Sequence, residues 1–538
     1  MEFDYIIVGA GSAGCVLANR LSEDAGTTVL LLEAGGEDRN PWIHLPVGYV
    51  KTMVDPAVNW MFDTQPHPQT KDRPIPVPRG KVLGGSSSIN GMLYVRGQAR
   101  DYDGWAQMGN LGWSYDDVLP YFRKSENREA GADGEDARYR GRGGNLNVAP
   151  PTVTYEALDA AIRAGGELGY ATFHDYNGAS QEGFAYYELT QKNGLRHSVK
   201  AAFLNPVRRR PNLDVATRAH AARVVLEGKR ATGVDYHVGG AKGEMRRAKA
   251  RRAVILSAGG VQSPQLLELS GIGDGAVLQP LGIEVRHPLK GVGTNLQDHY
   301  AARHTWQLTG VASLNEKTRG IGLVGEALKY AFTRTGALTM PAGIVAGFVK
   351  SDPALEGPDI QYHIAHASFR DPKTRVFDDF PGFTIATCQL RPESRGTIHA
   401  RSADPFQGPA IQPNFLTQET DRRILLAGMR MARDLMAADA IKDHVVREVT
   451  PGAEVASDED LLDYAAATGA TLYHPIGTCR MGPDAANGAV VDAALRVHGL
   501  DGLRVVDASI MPTLTSGNTN APVIMIAEKA ADIIRADG

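Results

Sequence analysis

The stretch Y-I-I-V-G-A-G-S-A-G, residues 5–14, decides how the chain begins to fold. Residues 5–8 are β-branched or aromatic and read as a strand, three glycines follow in the pattern G-x-G-x-x-G, and residues 12–21 read as a helix. A second strand is expected at 28–32, which completes a βαβ unit and requires a parallel sheet. The three glycines do different things. Gly9 permits the tight turn, Gly11 lets backbone approach a pyrophosphate, and Gly14 allows close helix-to-strand packing. The helix N-terminus offers unpaired N–H groups and a positive dipole end to the phosphates. The second strand ends L-L-L-E-A-G-G, so Glu33, 19 positions after Gly14, falls where a carboxylate accepts hydrogen bonds from an adenosine ribose. The fingerprint does not choose between NAD and FAD, which share the ADP half.

Composition bounds the rest. At 538 residues the chain exceeds what one hydrophobic core usually supports, so two or more structural units are expected. Its 57 Lys and Arg against 61 Asp and Glu give a formal net charge of −4, with neither sign in long blocks. That leaves no basic footprint for nucleic acid, and a small molecule is the expected partner. Three cysteines (Cys15, Cys388, Cys479) are too few and scattered for a disulfide framework and form no C-x-x-C pair, which favours a reducing compartment. The opening M-E-F-D-Y-I-I-V-G shows no secretion signal. No apolar run reaches the roughly 18 residues of a membrane span. The expected localisation is cytoplasmic, with peripheral contact to an inner membrane left open.

Residues 253–256 and 503–506 read as further buried strands of the parallel sheet, which makes the first domain discontinuous, with both chain ends in it. Elsewhere the texture alternates: P-D-I-Q-Y-H-I-A-H and G-F-T-I-A-T-C-Q-L, then T-I-H-A-R after P-E-S-R-G, read as antiparallel strands with a turn. An amphipathic helix over 421–437 covers one face of them. The expected division is 1–145, 196–304 and 466–538 for the dinucleotide domain, and 146–195 with 305–465 for an α+β substrate domain. A second glycine cluster, P-R-G-K-V-L-G-G-S-S-S-I-N-G over 78–91, suits backbone lying against a flat or phosphorylated ligand, or a flexible loop.

Six segments, in order, carry a resemblance that spans essentially the whole chain: the opening fingerprint, R-G-K-V-L-G-G-S-S-S-I-N-G-M-L-Y-V-R-G (79–97), S-A-G-G-V-Q-S-P-Q-L-L-E-L-S-G-I-G (257–273), V-G-T-N-L-Q-D-H (292–299), H-P-I-G-T-C-R-M-G (474–482) and V-V-D-A-S-I-M-P-T-L-T-S-G-N-T-N-A-P (505–522). The chain resembles the glucose-methanol-choline family of FAD-dependent oxidoreductases, particularly its bacterial alcohol-dehydrogenase and choline-dehydrogenase-like members. The resemblance implies a Rossmann-like α/β FAD-binding domain plus a substrate domain with an antiparallel sheet and helices. By position, Gly9, Gly11, Ser12 and Glu33 are implied to hold the ADP half. Val82, Gly84, Gly85, Asn90, Gly91 and Met92 are implied to lie along pyrophosphate and isoalloxazine. Ala221 is expected to present backbone to adenine, Ala258 and Gly259 to end a strand beside the cofactor, and Asp507 to bond its ribityl or phosphate side. Their neighbours Ala13, Gly14, Ala34, Arg79, Leu93, Ala508 and Thr519 are counted with the cofactor site. Pro522 reads as the first turn of a last helix with Asn520 as candidate cap, aimed at the flavin pyrimidine edge as in the family. Where some members attach the flavin covalently through a histidine, this chain has Ile89, so noncovalent FAD is expected.

His474 in Y-H-P-I-G-T-C-R-M-G admits several readings from residues alone: a metal ligand, a partner of Cys479, a structural loop histidine, or a general base. No ligand set clusters with it, although His299/His304 and His363/His366 are close pairs, so no metal is expected. The resemblance favours the base, because Asn518 lies 44 positions on, where the family places the second member of its His-Asn or His-His pair. It implies oxidation of a primary alcohol, with hydride passing to flavin N5, His474 taking the hydroxyl proton and Asn518 holding the oxygen. Choline-oxidising relatives carry a carboxylate soon after the D-H of N-L-Q-D-H; D-H-Y-A-A-R puts Ala301 there, so choline is disfavoured and a small neutral alcohol expected. Residues 338–349 are expected to line its pocket. The expected electron acceptor is a quinone or O2, with a dehydrogenase preferred and an oxidase using O2 as the alternative. A flavin-containing hydroxynitrile lyase is the alternative from another class.

Overall fold

A computed structural model describes residues 1–129, 136–341, 343–371 and 376–537. In chain order its principal elements are β1 (Glu2–Val8), α1 (Ser12–Leu21), β2 (Val29–Leu32), β3 (Gly183–Tyr186), β4 (Leu213–Ala216), β5 (Ala219–Glu227), β6 (Arg230–Val238), β7 (Glu244–Leu256) and α2 (Gly259–Leu269). There follow β8 (Tyr300–Leu308), α3 (Gly320–Thr333), β9 (Val345–Val349), β10 (Ile360–Ala365), β11 (Gly382–Gln389), α4 (Glu419–Ala437), β12 (Val445–Thr450), β13 (Ala470–Thr471), β14 (Leu503–Val505) and α5 (Asn520–Ala536).

The first sheet runs β4-β2-β1-β7-β6-β5, with β14 also on β7. Its β4, β2, β1, β7 and β14 pairings are parallel, in the order and direction the βαβ reading requires. β1 and β2 are buried on both faces, which is why they read as continuous apolar runs. The long β7 changes role along its length: Glu244–Lys249 pairs antiparallel with β6, and the apolar end up to Leu256 pairs with β1 and β14. α1 and α5 lie side by side, tied by Ser12 Oγ donating to Asn520 Oδ1 at 2.7 Å and by the Arg20 guanidinium on Glu528.

The second sheet, β12-β8-β11-β10-β9-β3 with β13 also on β8, is antiparallel throughout. α4 covers one face. Its buried stripe (Ile424, Gly428, Ala432, Leu435) recurs at helical spacing, and a Cβ on Gly428 would sit 2.5 Å from Thr387 Cγ2, so only glycine lets helix and sheet approach so closely. Because side chains alternate along a strand, Tyr362 and Ile364 of β10 go to α4, and Gln361, His363 and Ala365 face the other way.

The strand boundaries cross the expected domain limits. β8 enters the second sheet at Tyr300, four residues before 304, and β13 belongs to that sheet although it follows 466. Thr397–His399 is a strand as expected, yet it pairs with Ala410–Gln412 in a separate two-stranded ribbon. The last helix starts at Asn520 with Thr519 at its cap, so Asn520 is its first residue and bonds Ser12 instead of capping.

Candidate active site

A cavity of 1410 Å³ runs between the two sheets. At one end it is bounded by the C-terminal ends of the parallel strands, where α/β sheets bind ligands. Gly9 turns with φ 101°, and a Cβ there would lie 2.5 Å from Ser257 O. A Cβ on Gly14 would lie 1.8 Å from Gly9 O, which locks α1 onto the turn. A Cβ on Gly11 would come within 4 Å only of Gly85 Cα, at 3.9 Å, so space is kept where the helix N-terminus faces the cavity. Gly9 is thus held in a tight turn and Gly14 in a close contact, and the space beside Gly11 has room for an elongated phosphorylated ligand. Glu33 is buried at its edge and accepts from Ala10 N at 2.9 Å and Gly35 N at 2.7 Å; burial pushes its carboxyl up to about 7.

Most expected cofactor residues line this cavity: Gly9, Gly11, Ser12, Ala13, Glu33, Ala34, Arg79, Gly85, Asn90, Gly91, Met92, Leu93, Ala221, Ala258, Gly259, Asp507, Ala508, Asn518 and Thr519. Three stand behind its wall. Gly14 is the packing position above, Val82 is buried among Ile43, Val58 and Ile89, and Gly84 takes the left-handed turn (φ 92°) that sends its N–H to Ala10 O. Two others are engaged differently from expectation. The Asp507 carboxylate already accepts four hydrogen bonds, from Gly259 N, Ser263 Oγ, Ser509 N and Ser509 Oγ, and so fixes the start of α2. The Arg79 guanidinium donates to Pro78 O and Tyr473 O, each at 2.6 Å, which braces the loop before His474.

At the other end, His474 Nδ1 meets His299 Nδ1 at 2.9 Å, and His474 Nε2 meets Asn518 Nδ2 at 3.2 Å. The proton positions follow from the partners. His299 Nε2 lies 2.9 Å from Leu390 O, a pure acceptor, so that nitrogen carries the proton and the His299 Nδ1 of a neutral ring is bare. His474 must then donate from Nδ1, which leaves its Nε2 as a lone pair in the cavity. Burial keeps both rings neutral, lowering His299 to about 4 and His474 well below the ordinary imidazole value. The Asn518 amide is oriented in turn: Gln361 Nε2 donates to Asn518 Oδ1 at 3.3 Å and to Tyr187 Oη at 2.8 Å, so the Asn518 N–H groups point to the histidine.

The segment Asn295 to His299 carries this arrangement. Gln297 clamps the loop leading to Asn518 through Pro512 O and Leu514 N, and Asp298 accepts from His474 N at 2.8 Å and from Thr471 Oγ1. Gln297, Asp298, His299 and Gln361 were given no role by sequence reading. The N-L-Q-D-H motif was the available signal for three of them, and nothing marked Gln361. Cys479 is buried, and burial pushes its thiol well up; the His474 ring has His299 and Asn518 as its hydrogen-bond partners instead. Among the described residues no group of three or more His, Cys, Asp or Glu is placed to hold a metal ion. Of the stretch 338–349, Leu338, Met340, Pro341, Gly343 and Ile344 line the cavity, and Ala342 lies outside the described residues.

Two family models, each described as GMC oxidoreductase, match residues 3–301 and 392–527. An alcohol dehydrogenase (acceptor) of Pseudomonas putida is 43% identical over 99% of this chain and 95% of its own length. An oxygen-dependent choline dehydrogenase of Photobacterium profundum is 42% identical over 99% of this chain and 93% of its own. Among solved structures, pyridoxine 4-oxidase from Mesorbium loti superposes with a TM-score of 0.87 at 30% identity, covering 98% of each chain. The chain belongs to the GMC oxidoreductase family.

Proposed function

We propose that this oxidoreductase, which acts on alcohols, holds FAD noncovalently and oxidises a primary alcohol to an aldehyde with His474 as general base. The observation that carries the proposal is the bare His474 Nε2, 3.2 Å from the Asn518 amide, at the end of a cavity whose other end is a dinucleotide cradle. FAD, when bound, supplies a two-electron hydride acceptor. Gly9, Gly11, Ser12 and Glu33 would hold its ADP half, and Gly85, Asn90, Gly91 and Met92 would lie along the rest. Ile89 at the attachment position has no nucleophile, which supports noncovalent binding.

The chain's own part is to place the carbinol and remove its proton. Asn518 Nδ2 donates to the substrate oxygen and His474 Nε2 accepts the hydroxyl proton, so the alkoxide character needed for loss of hydride develops only on an oxygen already held. His299, through Nδ1, accepts the hydrogen bond of the imidazolium that results and keeps its ring from turning. A quaternary ammonium substrate is disfavoured. Ala301 supplies no carboxylate, and Arg73, Arg79 and Arg303 all line the cavity, whereas its lining carboxylates are Glu33, Asp63 and Asp507, none on the second sheet.

No described helix is long and apolar enough to cross a membrane. Peripheral contact is supported by α3, which leaves Ile321, Val324, Leu328 and Phe332 exposed while Leu323 lines the cavity. The test is anaerobic bleaching of the flavin band by primary alcohols. His474→Ala should keep FAD bound and slow bleaching by about 10²–10⁴-fold. Near-normal bleaching would remove His474 from the mechanism. Admitting air to the bleached enzyme separates an oxidase, which recovers at once, from a dehydrogenase that needs a quinone-like dye.

A further inference from the structure

The cavity face of the second sheet is laid out in rows by its register. Ala301, Cys388 and Gln361 form the row nearest the catalytic pair, since Gln361 bonds Asn518. The next row out is Arg303, Ala386 and His363, and the third is Thr305, Thr384 and Ala365. Consecutive rows are two residues apart along each strand, roughly 7 Å. Of these nine side chains only Arg303 carries a permanent charge. It is half-buried, lines the cavity, and its guanidinium has no hydrogen bond or ion pair among the described residues.

Other arginines on this cavity are occupied: Arg73 donates to Ala466 O and Gly469 O, Arg79 to Tyr473 O, and Arg370 pairs with Asp379. Across the row, beyond the small Ala386, His363 is 6% exposed and its Nε2 has no partner, although its Nδ1 lies 3.1 Å from Tyr187 Oη. A buried imidazole nitrogen without a partner costs stability unless something polar meets it, and a guanidinium is built to grip a carboxylate with two parallel N–H donors. Tyr187 Oη has one proton for two acceptors, His363 Nδ1 at 3.1 Å and Tyr362 O at 3.2 Å; given to the nearer, His363 Nδ1, it leaves His363 Nε2–H as a donor into the same space.

We propose that Arg303 and His363 form a tail-binding subsite for a carboxylate, so that the substrate is a hydroxy acid whose carboxylate stands several carbons from the carbinol. The inference rests on the reading that His474 and Asn518 bind the carbinol, and replaces the small neutral alcohol with an anionic one. Ala386 leaves room for the carboxylate between the two donors, and the apolar residues Leu338, Met340 and Ile344 line the same cavity for the intervening chain.

The experiment compares 8-hydroxyoctanoate with its methyl ester, which keeps the chain and removes the charge, in anaerobic flavin bleaching by the holoenzyme. The expected result is a preference for the acid of about 10- to 100-fold in second-order rate constant. Arg303→Met should collapse the acid-to-ester ratio towards one, and Arg303→Lys should restore part of it. Octanedioate, which cannot be oxidised, should perturb the flavin spectrum of the wild type and bind at least tenfold more weakly to Arg303→Met. Equal bleaching by acid and ester in the wild type would overturn the subsite while leaving alcohol oxidation standing. Bleaching by neither acid, ester nor any neutral primary alcohol would instead overturn the reading beneath it.

Discussion

The two ends of the cavity are made of different material. At the dinucleotide end the wall is largely backbone: Gly9, Gly11 and Gly85 expose main chain, and the side chains that matter, Glu33 and Asp507, take four of their six hydrogen bonds from main-chain N–H groups. At the substrate end the wall is side chains on alternate strand positions, and side chains meet one another across it: His299 with His474, Gln361 with Asn518, Tyr187 with His363. A backbone wall tolerates almost no added atom but little depends on which polar side chains surround it. A side-chain wall inverts this, because each group can be exchanged at a local cost and with a specific chemical effect.

The largest effect should come from adding atoms to the backbone wall. Gly14→Val places its Cβ against Gly9 O, a contact of 1.8 Å that neither strand nor helix can relieve. The expected outcome is protein that purifies without flavin and gains no yellow colour when FAD is supplied; a variant with normal flavin content would show that the turn yields and the comparison is false. A smaller, purely chemical effect is expected from Gln361→Leu. Asn518 then loses the donor that orients its amide, so bleaching by alcohol should slow about tenfold while the flavin dissociation constant stays within about twofold. A parallel loss of flavin would mean that the two ends are not separable.

The smallest effect concerns acid. Burial lowers His299 to about 4 and His304, His363 and His366 to about 3, all on or beside the second sheet. In the unfolded chain these rings titrate near about 6.5. Between that pH and about 3 the unfolded chain binds more protons than the folded one, so stability fully present above about pH 6.5 declines as pH falls. The melting temperature should therefore drop between about pH 7 and pH 5, and His366→Phe, whose ring keeps the contact with Tyr155, should make that drop shallower. An unchanged slope in the variant would show that His366 is not held neutral.

The same division explains what could be read beforehand. Gly9, Gly11 and Gly14 were legible because their roles are steric and local, and β1, α1 and β2 follow within 32 residues. His474 and Asn518 were legible only through resemblance. Arg303, Gln361 and His363 were invisible, because what they do depends on register: Arg303 and His363 matter together only since both stand opposite Ala386, from strands 60 positions apart. His299 sat in a quoted motif, yet its partner is 175 positions away and nothing local announces the bond. The domain limit at 304 shows the same thing, since a strand's sheet is set by its neighbours and not by its own composition.

The hydrogen bond from Ser12 to Asn520 joins residues 508 positions apart, at the mouth of the dinucleotide cradle. At about 5–20 residues per second, a ribosome delivers the second partner roughly 25–100 s after the first. The glycine loop therefore waits that long before the helix that packs against α1 exists. A chain cut before that helix would carry every glycine of the fingerprint and lack the partner that ties α1 in place through Ser12 and Arg20.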